Sequence, residues 1–264
     1  MPTRQRSIDS HLESLAESEE GIEAGPAQRR WAELPLPPRD FPERATFVMP
    51  PEECDFLREQ IGRSNRDSLL AHVLEFGDVQ SIDDARFAWE CPAALSASET
   101  TRQLLQDGSR ISLAHQGAAI FYNLMLAQAN DDEKELADFE QRLGDWSESM
   151  ERAREDICAW DRDGTWFRLR NANPRLRRRT FDFVEQWLKV ATDSLRFESL
   201  DRGRARVLLR ERELSLKGGR ARLTYADARR RKRGYSAWGR MDFRWGSAKR
   251  IIVDILSPSA NGHA

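Results

Sequence analysis

Between Asn130 and Trp160 the apolar residues fall at Leu136, Phe139, Leu143, Trp146, Met150, Ala153, Ile157 and Trp160, three and four apart in alternation. A seam of that period, 3.5 residues, is buried when an α-helix lies along another helix. One unbroken helix of about thirty residues would be roughly 45 Å long. The preceding stretch, Ser109 to Ala129, is apolar almost all round, with Ile111, Ala114, Ala118, Phe121 and Met125 on one stripe and Leu113, Ile120 and Leu124 on another. A helix without a polar face belongs at the centre of a bundle, and Gly117, Ala118 and Ala119 let a neighbour approach closely. The short turn near Asn130 makes the two helices antiparallel neighbours. The expected fold is therefore mostly α: an irregular helical bundle with a long antiparallel hairpin and a basic helical C-terminal part.

The other elements follow from local signals. Pro51, with Glu52 and Glu53 behind it, opens a helix that runs to about Ile61. "DSLLAHVLEFG" reads as a helix between Asp67 or Ser68 and Gly77, and "DDARFAWE" as a shorter one. "DRDGTWFRLRNANPRLRR" reads as a loop. Arg179 to Arg196 repeats the core spacing at Phe181, Val184, Leu188, Ala191 and Leu195. Further helices are expected in "RARVLLRERELSLKGG", in "TYADARRRKRG" from a Thr224–Asp227 capping box to Gly234, and in "GSAKRIIVDIL" from Ser247. Between the last two, "MDFRW" alternates as a short extended segment anchored by Met241, Phe243 and Trp245. Residues 1–30 form an acidic leader and 31–50 a proline-rich strap; 51–256 form the α-helical domain and 257–264 a flexible tail.

Net charge is only −2 among 42 Lys or Arg and 44 Asp or Glu, but it is unevenly placed: Asp201 to Ala264 carries +11 and the first 200 residues −13. A basic C-terminal part on an acidic body suits a polyanion, or an attraction between two parts of one fold. No run approaches a membrane span and no secretory signal opens the chain, so a cytoplasmic location with no membrane partner is expected. Cys54, Cys91 and Cys158, odd in number and widely spaced, fit reduced thiols.

No motif of a known chemistry emerges. Lys217 precedes the glycines of "LKGGRARL", where a phosphate-binding loop has GxxxxGK and then Ser or Thr. "DRDG" misplaces the glycine of a calcium loop and reads as a turn after a helix. His11, His72, His115 and His263 are dispersed, and there is no CxxC or HExxH, so neither metal nor cofactor is expected. Glu211 and Glu213 sit on different faces of their helix. The chain is read as non-catalytic, with a nuclease or other hydrolase of dispersed site as the remote alternative.

The basic segment is the remaining candidate. Cations near a helix C-terminus interact favourably with its dipole, but Arg229, Arg230, Arg231, Lys232 and Arg233 are five in a row and repel one another. A phosphate backbone relieves that repulsion with release of counterions. Lys217, Arg220 and Arg222 join them as expected nucleic-acid contacts, with Tyr225, Tyr235 and Trp238 as stacking rings. Arg175, Arg177, Arg178 and Arg179 form a second basic cluster. The competing expectation is a protein-interaction scaffold, or self-association, through the 136–160 seam.

"MPPEECDFLREQI", "SLLAHVLEFG", "HQGAAIFYNLMLA" and above all "RERELSLKGGRARL" followed by "MDFRWGSAKRIIVDI" resemble the C-terminal half of bacterial proteins grouped as the domain of unknown function 6361 family. The likeness covers about Pro35 to Leu256 and is most specific at Leu216 to Leu223 and Asp242 to Trp245. It implies a chain lacking the N-terminal region of its relatives, with no reaction and no catalytic residue to carry over. It further implies a role in phage defence or DNA modification.

Overall fold

A computed structural model of the chain describes residues 49–192 and 200–258. The leader 1–30, nearly all of the strap and the end of the tail lie outside the described residues, as does Leu195. Helix is the only regular structure among those described. The helices are α1 (Pro51–Ser64), α2 (Leu69–Phe76), α3 (Val79–Asp84), α4 (Pro92–Leu95), α5 (Glu99–Ala129), α6 (Glu133–Arg152), α7 (Arg154–Cys158), α8 (Arg162–Ala172), α9 (Arg178–Thr192), α10 (Arg202–Lys217), α11 (Ala226–Arg231) and α12 (Trp245–Leu256). Among the described residues no helix is long and apolar enough to cross a membrane.

The chain divides into two compact units, Met1–Leu74 with Ile251–Ala264, and Glu75–Arg250. In the first, Pro51 at the start of α1 and the two glutamates after it match the expected opening of that helix. The unit buries Cys54, Val73, Leu74, Ile252 and Ile255. The Cys54 thiol points at the Asp254 carbonyl, 3.7 Å away.

In the second unit α5 is the central helix, and α6, α8, α9 and α10 all pack on it. Ser98 caps its start by accepting from the Thr101 N–H. The expected hairpin with α6 is present. Asp131 turns the chain with φ of 53°, and Asp132 caps α6 by accepting from the Glu135 N–H. Phe139, Leu143, Trp146 and Met150 are buried along the seam, as are Ile157 and Trp160 beyond it. Gly117 makes the close approach possible: a Cβ there would lie 2.2 Å from the Trp146 ring. The indole N–H meanwhile donates to the Leu113 carbonyl at 2.9 Å.

Four local expectations are corrected. The helix expected to run unbroken to Trp160 stops at Ala153 and restarts as α7, with no proline or glycine at the break. Residues 162–172, read as loop, are helix α8, because Asp161 caps it by accepting from the Gly164 N–H at 2.9 Å. "DDARFAWE" is no single helix: α3 ends at Asp84 and a 3-10 turn takes Ala88–Glu90. In "MDFRW" the residues Phe243 and Arg244 have φ of 50° and 69°, a left-handed pair. The Asp242 carboxylate holds this turn by accepting from the N–H groups of Arg244 and Gly246. The alternation is thereby broken, so Trp245 is buried and begins α12 ahead of Ser247, while Phe243 is 55% exposed.

An extended segment, Tyr235 to Met241, lies along α5. Asn123 exchanges two 2.8 Å hydrogen bonds with the backbone of Ser236, and Ser112 donates to the Met241 carbonyl at 2.9 Å. Five residues of extended chain cover about 17 Å. Eleven residues of helix cover about the same length. The segment thus stays in register with α5 and runs antiparallel to it.

Candidate nucleic-acid interface

The eight cations expected at the interface do not share one environment. Lys217, in the last turn of α10, donates to Glu213 Oε1 at 3.0 Å and sits 5.2 Å from the centre of the Tyr122 ring. Glu213 is a buried carboxylate that also accepts from the Tyr122 hydroxyl at 2.5 Å and from the Leu223 N–H at 2.7 Å. Burial alone would raise its pKa, but these donors together hold it below the ordinary 4.5. Burial, with the hydrogen bond to that carboxylate, pushes the Tyr122 phenol upward.

Arg222 is 3% exposed and donates to the Gly234 carbonyl, where the chain turns with φ of 82°. Its own carbonyl accepts from the Arg229 guanidinium at 2.7 Å. Arg230 pairs with Asp227 one turn back. That pairing replaces the expected capping box: α11 starts at Ala226, and Tyr225, its N-cap, makes no side-chain cap bond. Lys217 therefore ties the end of α10 to Tyr122 on α5, while Arg222 and Arg229 hold the segment from 222 to 234 together.

Four of the eight remain. Arg220, Arg231, Lys232 and Arg233 are exposed, and their side chains have no hydrogen-bond or ion-pair partner among the described residues. Of the rings expected to stack, Tyr225 is 44% exposed. Tyr235 and Trp238 instead pack on Phe139, with centroids 5.1 and 5.5 Å away, and Tyr235 donates to Asp132 at 2.8 Å.

The second basic cluster is similarly split. Arg178 pairs with Asp182 and covers the Trp166 ring at 5.0 Å. Arg175, Arg177 and Arg179 are exposed, and their guanidinium groups have no hydrogen-bond or ion-pair partner among the described residues. Arg162 and Arg170 on α8, read as loop residues in the sequence, are in the same condition. Arg168 is different. It donates to Asp107 Oδ2 at 2.8 Å, while Asp107 Oδ1 accepts from Thr165 at 2.6 Å and from the Trp160 indole at 3.1 Å. Asp107 is fully buried on α5, and Arg110 beside it makes a two-point pair with Asp156.

Both carboxylates are buried. A cavity of about 430 Å³ beside Trp160, which donates to Asp107, is lined by Trp160, Asp161, Arg162, Asp163, Glu185 and Lys189 and mixes charges of both signs. What the described surface offers is two sets of cations without counter-ions among the described residues, flanked by neighbours that have them.

The model of a family of unknown function, DUF6361, matches residues 8–258, and the chain belongs to that family. The match begins well before the Pro35 expected from the motifs. No curated protein and no solved structure matches the chain.

Proposed function

We propose that this family member is a non-catalytic nucleic-acid-binding protein of the bacterial cytoplasm, a component of a phage-defence or DNA-modification system. The observation that carries the reading is the state of Arg220, Arg231, Lys232 and Arg233, which are exposed and have no counter-ion among the described residues. Some arginines elsewhere are paired with acids, as in Arg63–Glu59, Arg142–Asp138 and Arg202–Glu140, whereas others, Arg66 and Arg210 among them, have no ion-pair partner among the described residues. Acids are therefore not scarce, and cations left without them suit an external polyanion.

The test is fluorescence anisotropy of the full chain with labelled duplex DNA across a salt series. Changing Arg231, Lys232 and Arg233 to Ser is expected to weaken binding and to flatten the slope of log affinity against log salt by about 2 to 3. No binding at low salt, or an unchanged slope in the triple variant, refutes the reading.

A protein-interaction role is the second reading, supported by Val207 and Leu214, two turns apart on α10 and 57% and 39% exposed, with Leu216 49% exposed beyond them. The 136–160 seam suits it less, since Phe139, Leu143, Trp146, Met150, Ile157 and Trp160 are buried in the core and pairing through them requires the hairpin to open.

A further inference from the structure

We infer that the arm formed by α8 and its connection to α9 is a docking site for single-stranded nucleic acid. The inference rests on the nucleic-acid reading for the class of ligand, but it concerns different residues. Arg162, Arg170, Arg175, Arg177 and Arg179 present, within residues 162–179, five guanidinium groups that have no counter-ion among the described residues. Arginine in itself is no signal here, because the chain has only five lysines among its 42 cations. The concentration of unpaired charge is the signal.

Phe167 adds a second feature. It projects from α8 and is 66% exposed, with Arg170 one turn further along the helix. An exposed ring beside unpaired cations is the arrangement on which an unpaired base stacks while its phosphates are neutralised. Stacked pairs inside a duplex leave no base face for such a ring, whereas single strands do.

The arm is also held in place before any ligand arrives. Arg168 ties α8 to Asp107 on the central helix, and Arg178 ties the start of α9 to the Trp166 ring. Between them the Asn173 side chain accepts from the Arg175 N–H at 3.1 Å and its carbonyl accepts from the Leu176 N–H at 3.0 Å, forming a defined turn. Binding a fixed arm costs less conformational entropy than ordering a loose one. Arg212, near the C-terminal end of α10, donates to the Arg179 carbonyl at 3.1 Å. Arg179 lies in the first turn of α9, so this bond joins the start of α9 to α10.

The experiment uses the full chain with labelled oligothymidine and with labelled duplex of mixed sequence. Phe167→Ala is expected to weaken oligothymidine binding roughly tenfold, with duplex binding within twofold of wild type. Changing Arg175, Arg177 and Arg179 to Ser is expected to flatten the single-strand salt slope by about 2. All four residues are exposed, and circular dichroism of each variant confirms that the helices persist. Unchanged oligothymidine binding in both variants overturns the inference, as does an equal loss on duplex in the Phe167 variant, or displacement of the oligonucleotide by polyglutamate at equal charge. The Arg231, Lys232 and Arg233 variant serves as the comparison. If it alone loses binding, only the arm is refuted; if the arm variants alone lose binding, only the run is refuted.

Discussion

Arg168 and Lys217 each belong to a basic stretch, and each delivers its charge to a buried carboxylate, Asp107 on α5 for the first and Glu213 on α10 for the second. From 162–179 the fold takes Arg168 to Asp107 and Arg178 to Asp182, and the other five guanidinium groups have no partner among the described residues. From 217–233 it takes Lys217 to Glu213, Arg222 and Arg229 to backbone carbonyls and Arg230 to Asp227, and the other four have no partner among the described residues. Two stretches that look alike in sequence are thus divided differently between holding the fold and facing solvent. A run of arginines is not one feature, because each guanidinium goes to the best acceptor within reach and only the remainder faces outward.

The comparison is tested most severely at Asp107. Replacing it with Ala removes the acceptor of the Arg168 guanidinium at a fully buried position and leaves the Thr165 hydroxyl only the Asp161 carbonyl and the Trp160 indole only the Thr165 oxygen. Breaking a buried pair by removing one partner costs about 3 to 5 kcal/mol. Urea denaturation of Asp107→Ala is expected to show a loss of that size. A loss under about 1 kcal/mol would show that Asp107 is not the tie that holds α8 to the core.

Glu213→Gln is expected to cost less, about 1 to 3 kcal/mol, because the amide keeps one acceptor oxygen while its NH2 meets donors. The pH dependence sharpens the contrast. The Glu213 carboxyl is held below its ordinary 4.5 in the folded protein. The unfolded chain therefore takes up the proton first on acidification, so the stabilisation is complete above 4.5 and is lost as pH falls through the lower folded value. The stability gap between wild type and Glu213→Gln should shrink below pH 4.5, as read from urea midpoints at a series of pH values. A gap that stays constant or widens there contradicts the arrangement of Tyr122, Lys217 and Leu223 around this carboxylate.

How much of this was legible in the sequence depends on what each helix buries. The α5–α6 hairpin was plain because Phe139, Leu143, Trp146 and Met150 are apolar and lie inward. Helix α8 was not, because its inward residues include Thr165 and Arg168, which meet another polar group and so carry no apolar period. The Phe243–Arg244 turn was hidden for a related reason: left-handed φ at two non-glycine residues follows from the Asp242 bonds and from no residue preference. At the candidate interface the basic run itself was evident. Which of its cations are occupied is legible only in part: Glu213 and Asp227 lie one helical turn from Lys217 and Arg230, but Tyr122 and Gly234 come to Lys217 and Arg222 only in the folded chain.

The smallest expected effect on stability separates the two roles within the C-terminal run. Arg222→Met keeps the long apolar stem that the site buries and removes the donor to the Gly234 carbonyl, at a cost of about 1 to 2 kcal/mol. Arg222 is 3% exposed, so a polyanion on the surface does not reach its guanidinium, and duplex affinity per folded molecule should stay within twofold of wild type. The Arg231, Lys232 and Arg233 variant should do the opposite, with stability within about 0.5 kcal/mol of wild type and a weakened, less salt-dependent affinity. Denaturation and anisotropy on the same two proteins decide the matter. If Arg222→Met loses affinity as strongly as the triple variant, the buried guanidinium is part of the interface, and the division between holding cations and facing cations fails where it is drawn most sharply.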